Sequence, residues 1–408
     1  MSKQLPLDQQ TKSQAKTALA ASERREEVLA LLALQRVDGL GPQNLNLLLG
    51  HFGSARSLLD RSHSTPADYL QGLGPRARAN LADFLISPSS SGLWQLGRQS
   101  LAWIERHDAK LLLRNEPGFP ALLREISDCP PLLFAQGQAS SLLLPAIAIV
   151  GTRKPTTLGR RLARDLAGEL GRAGFCIYSG LALGIDAEVH RGALQAGAKT
   201  VAVMATGIDS IYPGSHRALA ENIAASGALV SEMPLATPAV PGLFPRRNRL
   251  VSGMCRAVIV VEAGLPSGSL HTANFAAEQG REVFALPGAA NNVMARGCHQ
   301  LLRDGAHLVE SAADVLDVLG QLFAAPLPET GQPENNGPSP NSPSHSHQPL
   351  TAAQRLVLDA LKAEAEPAVG ELLSLRTGLA ADVLARALVD LELEGVILAD
   401  AGRYSAAP

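Results

Sequence analysis

The sequence predicts an α/β fold: a parallel sheet covered by helices on both faces, preceded by a small helical region and followed by a winged helix. Three observations carry this. Between Ala146 and about Phe323, near-continuous apolar runs of strand length alternate with segments of helical periodicity. Upstream, the tetrapeptide "GLGP" occurs twice, at Gly39–Pro42 and Gly72–Pro75, within a short-looped helical pattern. Downstream of a proline-rich spacer, two or three helices lead into "GVILADAGRYS", which has the form of a small hairpin.

The first 27 residues are polar and lack the apolar run of a signal peptide, and residues 1–25 read as disordered. Residues 26–100 read as a helical domain. Glycine permits a tight inter-helix turn, and proline at the first helical position needs no backbone hydrogen-bond partner. Each "GLGP" either offers its N–H groups to a DNA phosphate, assisted by Arg76 and Arg78, or simply joins the helices of a bundle. The α/β domain spans 110–324, with strands at "AIAIV", "CIYS", "TVAVMA", "ALVSE", "AVIVVEA" and "EVFALPG" and helices including Leu158 to Arg172 and Ala218 to Ala225. Seven of the 25 residues from 325 to 349 are proline, so this linker is an extended spacer, and its His345 and His347 carry no role. Residues 350–408 form the winged-helix domain.

A chain of 408 residues, 46% hydrophobic, buries a sizeable core. The formal charge of −2 leaves nucleic-acid binding to local patches. Cys129, Cys176, Cys255 and Cys298 are far apart, which fits reduced cytosolic thiols and argues against disulfides or a metal site. No apolar stretch approaches the ~18 residues of a membrane span, so the expected location is cytoplasmic, with no membrane partner. Aromatic residues make up only 4%, so a strand binder of this composition relies on phosphate contacts more than on stacked bases.

In parallel sheets ligands bind where strands end and helices begin, and the unusual residues gather there. "AIAIVGTRKPTTLGRRLA" opens like a nucleotide-binding unit, yet Gly151, Arg153 and Gly159 give G-x-R-x5-G, which matches neither common phosphate loop. "YSGLALGID" places Ser179, Gly180 and Gly184 before a helix; "EAGLPSGSLHTA" does the same with Ser267, Gly268, Ser269 and Thr272. Helix N-termini carry unpaired N–H groups and bind anions, although the same hydroxyls also serve as caps. Residues 151–174, which include Thr152, Arg153 and Lys154, carry a surplus of four positive charges, and "FPRRNRL" adds Arg246, Arg247 and Arg249 around Asn248. Several arginine forks along one groove suit a polymeric phosphate better than a mononucleotide. Glu232 and Glu262 stand at strand ends without a histidine or cysteine constellation, which argues against catalysis. Asp186 and His190 have the spacing of a simple surface pair.

Taken in order, "IVGTRKPTTLG", "YSGLALGIDAEVH", "VAVMATGIDSIYP", "FPRRNRLVSG", "VIVVEAGLPSGSLHTA", "GREVFALPG" and "RGCHQLLRDGA" resemble the DNA-processing protein A (DprA, or Smf) family over Pro117 to about Leu319. The resemblance implies an extended Rossmann-like parallel sheet with an N-terminal helical SAM-like domain and a C-terminal winged helix. It implies a recombination mediator that binds and protects single-stranded DNA and helps load the RecA-type recombinase in natural transformation. No covalent reaction and no cofactor are implied, and the Rossmann domain is expected to pair as a homodimer. The implied DNA pocket is the Gly151–Thr152–Arg153 loop, with Lys154, Gly159, Ser179, Gly180, Arg246, Arg247, Asn248, Arg249, Ser267, Gly268, Ser269 and Thr272 around it. The chain departs from the family at Leu183, where some members carry a basic residue, and at Leu158, in place of a tyrosine.

Lysine-decarboxylase-like phosphoribohydrolases share the sheet and are the alternative, but "PSGSLHTANFAAE" lacks their P-G-G-x-G-T-x-x-E spacing. In the tail, the expected recognition helix, Ala380 to Gly395, holds Asp382, Asp390, Glu392 and Glu394 against Arg386 alone. Its acidity predicts protein binding or self-packing in place of duplex readout. Leu301–Leu302 and Val315–Leu319 serve either the dimer or the core.

Overall fold

The structure, a computed structural model, describes residues 22–60, 72–323, 352–362, 368–377, 379, 383–384, 387–388, 391, 397–400 and 403–406. Residues 1–21, the linker with its two histidines, and Asp382, Arg386, Asp390, Glu392 and Glu394 of the expected acidic helix lie outside the described residues. The chain divides into two compact units, Met1–Pro326 and Leu327–Pro408, each described by itself.

Among its described residues, the first unit opens with five helices: α1 (22–34), α2 (Pro42–Phe52), α3 (Ala55–Asp60), α4 (Pro75–Ile86) and α5 (Gly92–Arg106). Helix α1 already includes 22–25, expected to be disordered, because Arg24 and Arg25 are tied to Glu116 and Glu105 at 2.5 and 2.6 Å. Pro42 and Pro75 open α2 and α4, as the "GLGP" repeats suggest. The repeats also pack together: Gly39 is at φ +84°, and a Cβ there would lie 3.1 Å from that of Ala77. Arg76 pairs with Asp38, and Arg78 donates to the Leu73 carbonyl. The buried side chains of this bundle, among them Leu32, Leu45 and Leu81, are continuous with Leu113, Phe134 and Ile223. Helical region and sheet therefore share one core within one compact unit.

The sheet has nine strands: β1 (Lys110–Leu113), β2 (Leu132–Gly137), β3 (Ala146–Val150), β4 (Cys176–Ser179), β5 (Thr200–Val203), β6 (Ala228–Ser231), β7 (Ala257–Val260), β8 (Glu282–Ala285) and β9 (His307–Leu308). Their order is β1-β2-β6-β5-β4-β3-β7-β8-β9. The six strands expected from apolar runs are β3 to β8. They pair in parallel, as does β9 with β8, whereas β1 and β2 add an antiparallel edge. In β3, Ile147 and Ile149 enter one apolar cluster and Ala146, Ala148 and Val150 the other, as side chains alternating across a sheet buried on both faces must.

Eight helices complete the unit: α6 (Ala121–Arg124), α7 (Thr157–Arg172), α8 (Ile185–Gln195), α9 (Arg217–Ser226), α10 (Leu243–Gly253), α11 (Gly268–Glu278), α12 (Arg296–Arg303) and α13 (Ala312–Phe323). Leu301, Val315 and Leu319 are buried in its core. In the second unit, α14 (Ala352–Lys362) and α15 (Gly370–Thr377) accompany a three-stranded sheet of β10 (Ala368–Val369), β12 (Arg403–Ala406) and β11 (Ile397–Asp400), in that order. Strands β11 and β12 are the expected hairpin, and Val357, Leu361, Leu373, Leu391 and Ile397 form the core of this winged helix. Among the described residues, no helix is long and apolar enough to cross a membrane.

Candidate nucleic-acid interface

From β3 the chain winds through β4 to one side and returns at β7 on the other, so the loops after β3 and β7 part at a topological switch point. A crevice of about 630 Å³ opens there, between the loop after β3, the starts of α8 and α11, and one side of α10.

The loop after β3 is held from both sides. Thr152 N–H donates to the Glu262 carbonyl at 2.7 Å, and Ile185 N–H donates to the Thr152 carbonyl at 3.1 Å. Gly184 makes the second contact possible: its φ is +85°, and a Cβ there would lie 2.7 Å from the Arg153 carbonyl carbon. Beyond the loop, Thr156 caps α7 by accepting from Gly159 N–H at 3.0 Å. The buried Glu262 carboxylate in turn accepts from Thr156 N–H at 2.9 Å and from its hydroxyl at 2.6 Å. A negative charge at a helix N-terminus is favourable. Gly159 admits it, since a Cβ there would overlap the carboxylate, 2.8 Å from Oε1.

This frame presents Arg153 and Lys154 to water. The Arg153 guanidinium lies 5.3 Å over the Phe244 ring, which is tilted against Tyr212 at 5.5 Å. On the far wall, Ser267 caps α11, its hydroxyl 2.8 Å from that of Ser269. Asn248 donates to the Gly268 carbonyl at 3.2 Å, tying α10 to that cap.

The crevice floor holds two buried ionisable groups, Arg247 and Asp186. Arg247 Nη1 donates to the carbonyls of Gly180, at 2.6 Å, and Val203. Gly180 has room for this only without a side chain, since a Cβ would lie 2.6 Å from Arg247 Cζ. Asp186 accepts from the N–H groups of Gly180 and Ala182 at 3.1 and 3.3 Å. Burial pushes Arg247 down to about 10 against the opposing pull of Asp186, so it stays charged at neutral pH. Burial likewise raises the Asp186 carboxyl, with Arg247 the strongest influence holding it down.

Of the residues expected in the DNA pocket, all line this crevice except Gly159, Ser179, Arg246 and Arg249. Ser179 is buried and donates to the Ile149 carbonyl at 2.7 Å. Arg249 is buried in ion pairs with Asp128 at 2.8 Å and Glu232 at 2.6 Å, and Arg246 lies 3.4 Å from Glu232 on the exposed side. Successive residues turn about 100° around a helix, so on α10 Arg247 points under the crevice while Arg246 and Arg249, three apart, share the side that meets Glu232. Glu232 and Glu262 are thus both held by structural partners. Asp186 and His190 are no surface pair either: both are buried, and His190 Nδ1 lies 2.8 Å from the Thr200 hydroxyl. That hydroxyl spends its proton on the Ile177 carbonyl, so the ring donates to it. Burial, reinforced by the cations nearby, pushes His190 down to about 3 and keeps it neutral.

Sequence reasoning missed the ring pair Tyr212–Phe244. Both rings lie in motifs already quoted, "DSIYP" and "FPRRNR", but 32 positions apart. Leu158 and Leu183, 55% and 49% exposed, bring no ring or cation of their own.

The family model for DNA recombination-mediator protein A matches residues 110–320, and that for the DprA winged helix domain matches 341–403. Protein Smf of Synechocystis sp. is 33% identical over 400 residues, covering 91% of this chain and 97% of that relative. Protein Smf of Escherichia coli K12 is 38% identical over 306 residues, 75% of this chain and 79% of the relative. The X-ray structure of DNA processing protein A from Streptococcus pneumoniae superposes with a TM-score of 0.60 at 32% identity, covering 72% of this chain and 97% of that one. With sheet, winged helix and near-full-length relatives in agreement, the chain belongs to the DNA recombination-mediator protein A family.

Proposed function

We propose that the protein binds single-stranded DNA in the crevice at the β3/β7 switch point, shields it, and helps load a RecA-type recombinase onto it, as in natural transformation. The observation that carries this reading is Arg153: a water-facing guanidinium on a loop clamped by backbone bonds on both sides and backed by the Phe244 ring. Arg153 and Lys154 meet phosphates as cations, and the N–H groups at the start of α11 meet another as a helix terminus. Tyr212 and Phe244 offer a stacking surface that paired bases cannot reach, which favours a single strand over a duplex. Within this reading the protein acts in the cytoplasm as a homodimer through its sheet domain. Four free, buried thiols suit a reducing compartment.

The test is fluorescence anisotropy with single-stranded and duplex oligonucleotides over a salt series. Wild type should prefer the single strand, and Arg153→Ala should weaken binding and lower the salt slope by about 0.7 for one lost phosphate contact. A folded Arg153→Ala protein with unchanged affinity and slope sinks the site. The proposed action includes no covalent step, in keeping with Glu232 and Glu262 being held in structural bonds. Release of free base from nucleoside monophosphates by purified protein would favour the phosphoribohydrolase reading.

A further inference from the structure

Resting on the single-strand reading above, the geometry points to a second phosphate-binding patch, in which Arg160, Arg164 and Arg191 carry the strand away from the crevice across α7 and α8. Glu188 organises it. Its side chain is only 5% exposed, yet three guanidinium groups converge on its carboxylate. Arg164 donates through Nε at 3.1 Å and through Nη2, and Arg191 donates through Nη1 at 2.7 Å. Arg160 reaches only to 4.0 Å, outside hydrogen-bond range. One buried negative charge among three cations leaves a surplus of two. The arginine side chains remain 40 to 49% exposed, so much of each fork faces water.

Close packing of the two helices brings these groups together. At their approach, a Cβ on Gly192 would lie 2.8 Å from the Arg164 Cα. Solvated arginines on a free helix face would spread apart by repulsion. Here the buried carboxylate holds them in place before any ligand arrives, which lowers the ordering cost of binding. Asp165 and Glu169, the remaining acids of α7, make no ion pair with the three.

The patch is continuous with the crevice. Helix α7 starts three residues after Lys154, and α8 starts beside Gly184, which packs on the Arg153 backbone. Arg160 stands about 5 Å along α7 from its start and Arg164 about 6 Å further. A row of cations leading away from one phosphate site fits a repeating polyanion and is redundant for an isolated anion. The exposed Leu158, in the first turn of α7, and Leu183, two residues before α8, offer apolar surface in the place of a ring and a cation.

Oligothymidylates of two lengths test this. One is about 5 nucleotides, near the lower limit for strand-binding sites, and the other about 16, near the upper limit. Arg160→Ala/Arg191→Ala should bind the short strand like wild type. On the long strand it should lose affinity and lower the salt slope by about 0.7 for each phosphate contact removed. Arg153→Ala should weaken both lengths, so failure of the crevice shows on the short strand and failure of the patch only on the long one. If the double variant does not fold, Arg160→Gln alone gives the readout, because Arg160 makes no hydrogen bond to Glu188. Long-strand affinity and slope equal to wild type in a folded variant overturn the patch, as does an equal loss on both lengths.

Discussion

Replacing Arg247 separates a DNA contact from a structural one. Arg247→Met keeps the aliphatic stem but strands the carbonyls of Gly180 and Val203 and leaves Asp186 with no cation to offset it. Leaving buried polar groups uncompensated costs about 1–3 kcal/mol each, or roughly 3–5 kcal/mol for this set. For a unit of this size that corresponds to a fall of roughly 4–7 °C in melting midpoint. The penalty should also depend on pH. Arg247 is the strongest influence holding the Asp186 carboxyl down, so its loss raises that group further above its unfolded value. Stability contributed by a raised carboxyl is complete below its unfolded pKa and is lost as pH rises through the folded one. The cost of Arg247→Met is therefore largest at neutral pH and shrinks on acidification, and adding Asp186→Asn should restore part of it. Urea unfolding of wild type, both single variants and the double variant at several pH values gives the numbers. A penalty below about 1 kcal/mol, the range of ordinary surface changes, or one that is flat with pH would refute the reasoning.

Gly159→Ala forces the Glu262 carboxylate off the Thr156 cap and should cost about 1–3 kcal/mol as an overpacked contact, read from the same unfolding curves. Phe244→Leu should weaken single-strand binding by about 1–3 kcal/mol for the base it stacks while leaving the salt slope unchanged; a change in slope instead would make the ring a support for Arg153 only. His190 has a folded pKa depressed to about 3 against an ordinary 6.5, so the stability of its neutral form is present above pH 6.5 and is lost as pH falls toward 3. The loss reaches up to about 1.4 kcal/mol per pH unit. His190→Asn should flatten that stretch of the stability profile, and an unchanged profile assigns the acid sensitivity to other groups.

The parallel core could be read locally because each of its strands carries its own signal. "AIAIV" and "AVIVV" are apolar at every position, as strands buried on both faces must be. The loop "GTRKPTTLG" likewise announced a cationic strand end, and Arg153 faces the crevice. Other features had no local signal. Strand β9 is two residues long, and β1 is a four-residue run beside a helix, so neither stands out from its surroundings. The three arginines of "FPRRNRL" look equivalent in sequence, yet helix rotation sends Arg247 under the crevice and turns Arg246 and Arg249 to Glu232, the first half-exposed and the second buried. Glu262 and Gly159 read as a strand-end acid and a loop glycine, and only their contact across 103 positions makes them a helix cap. The sequence by itself determined the layered α/β architecture and where the charge for a polyanion would gather, because burial and helix-start chemistry are written residue by residue. Only the tertiary structure decided which cations stay in water and which rings stand beside them, because those depend on contacts between segments far apart along the chain.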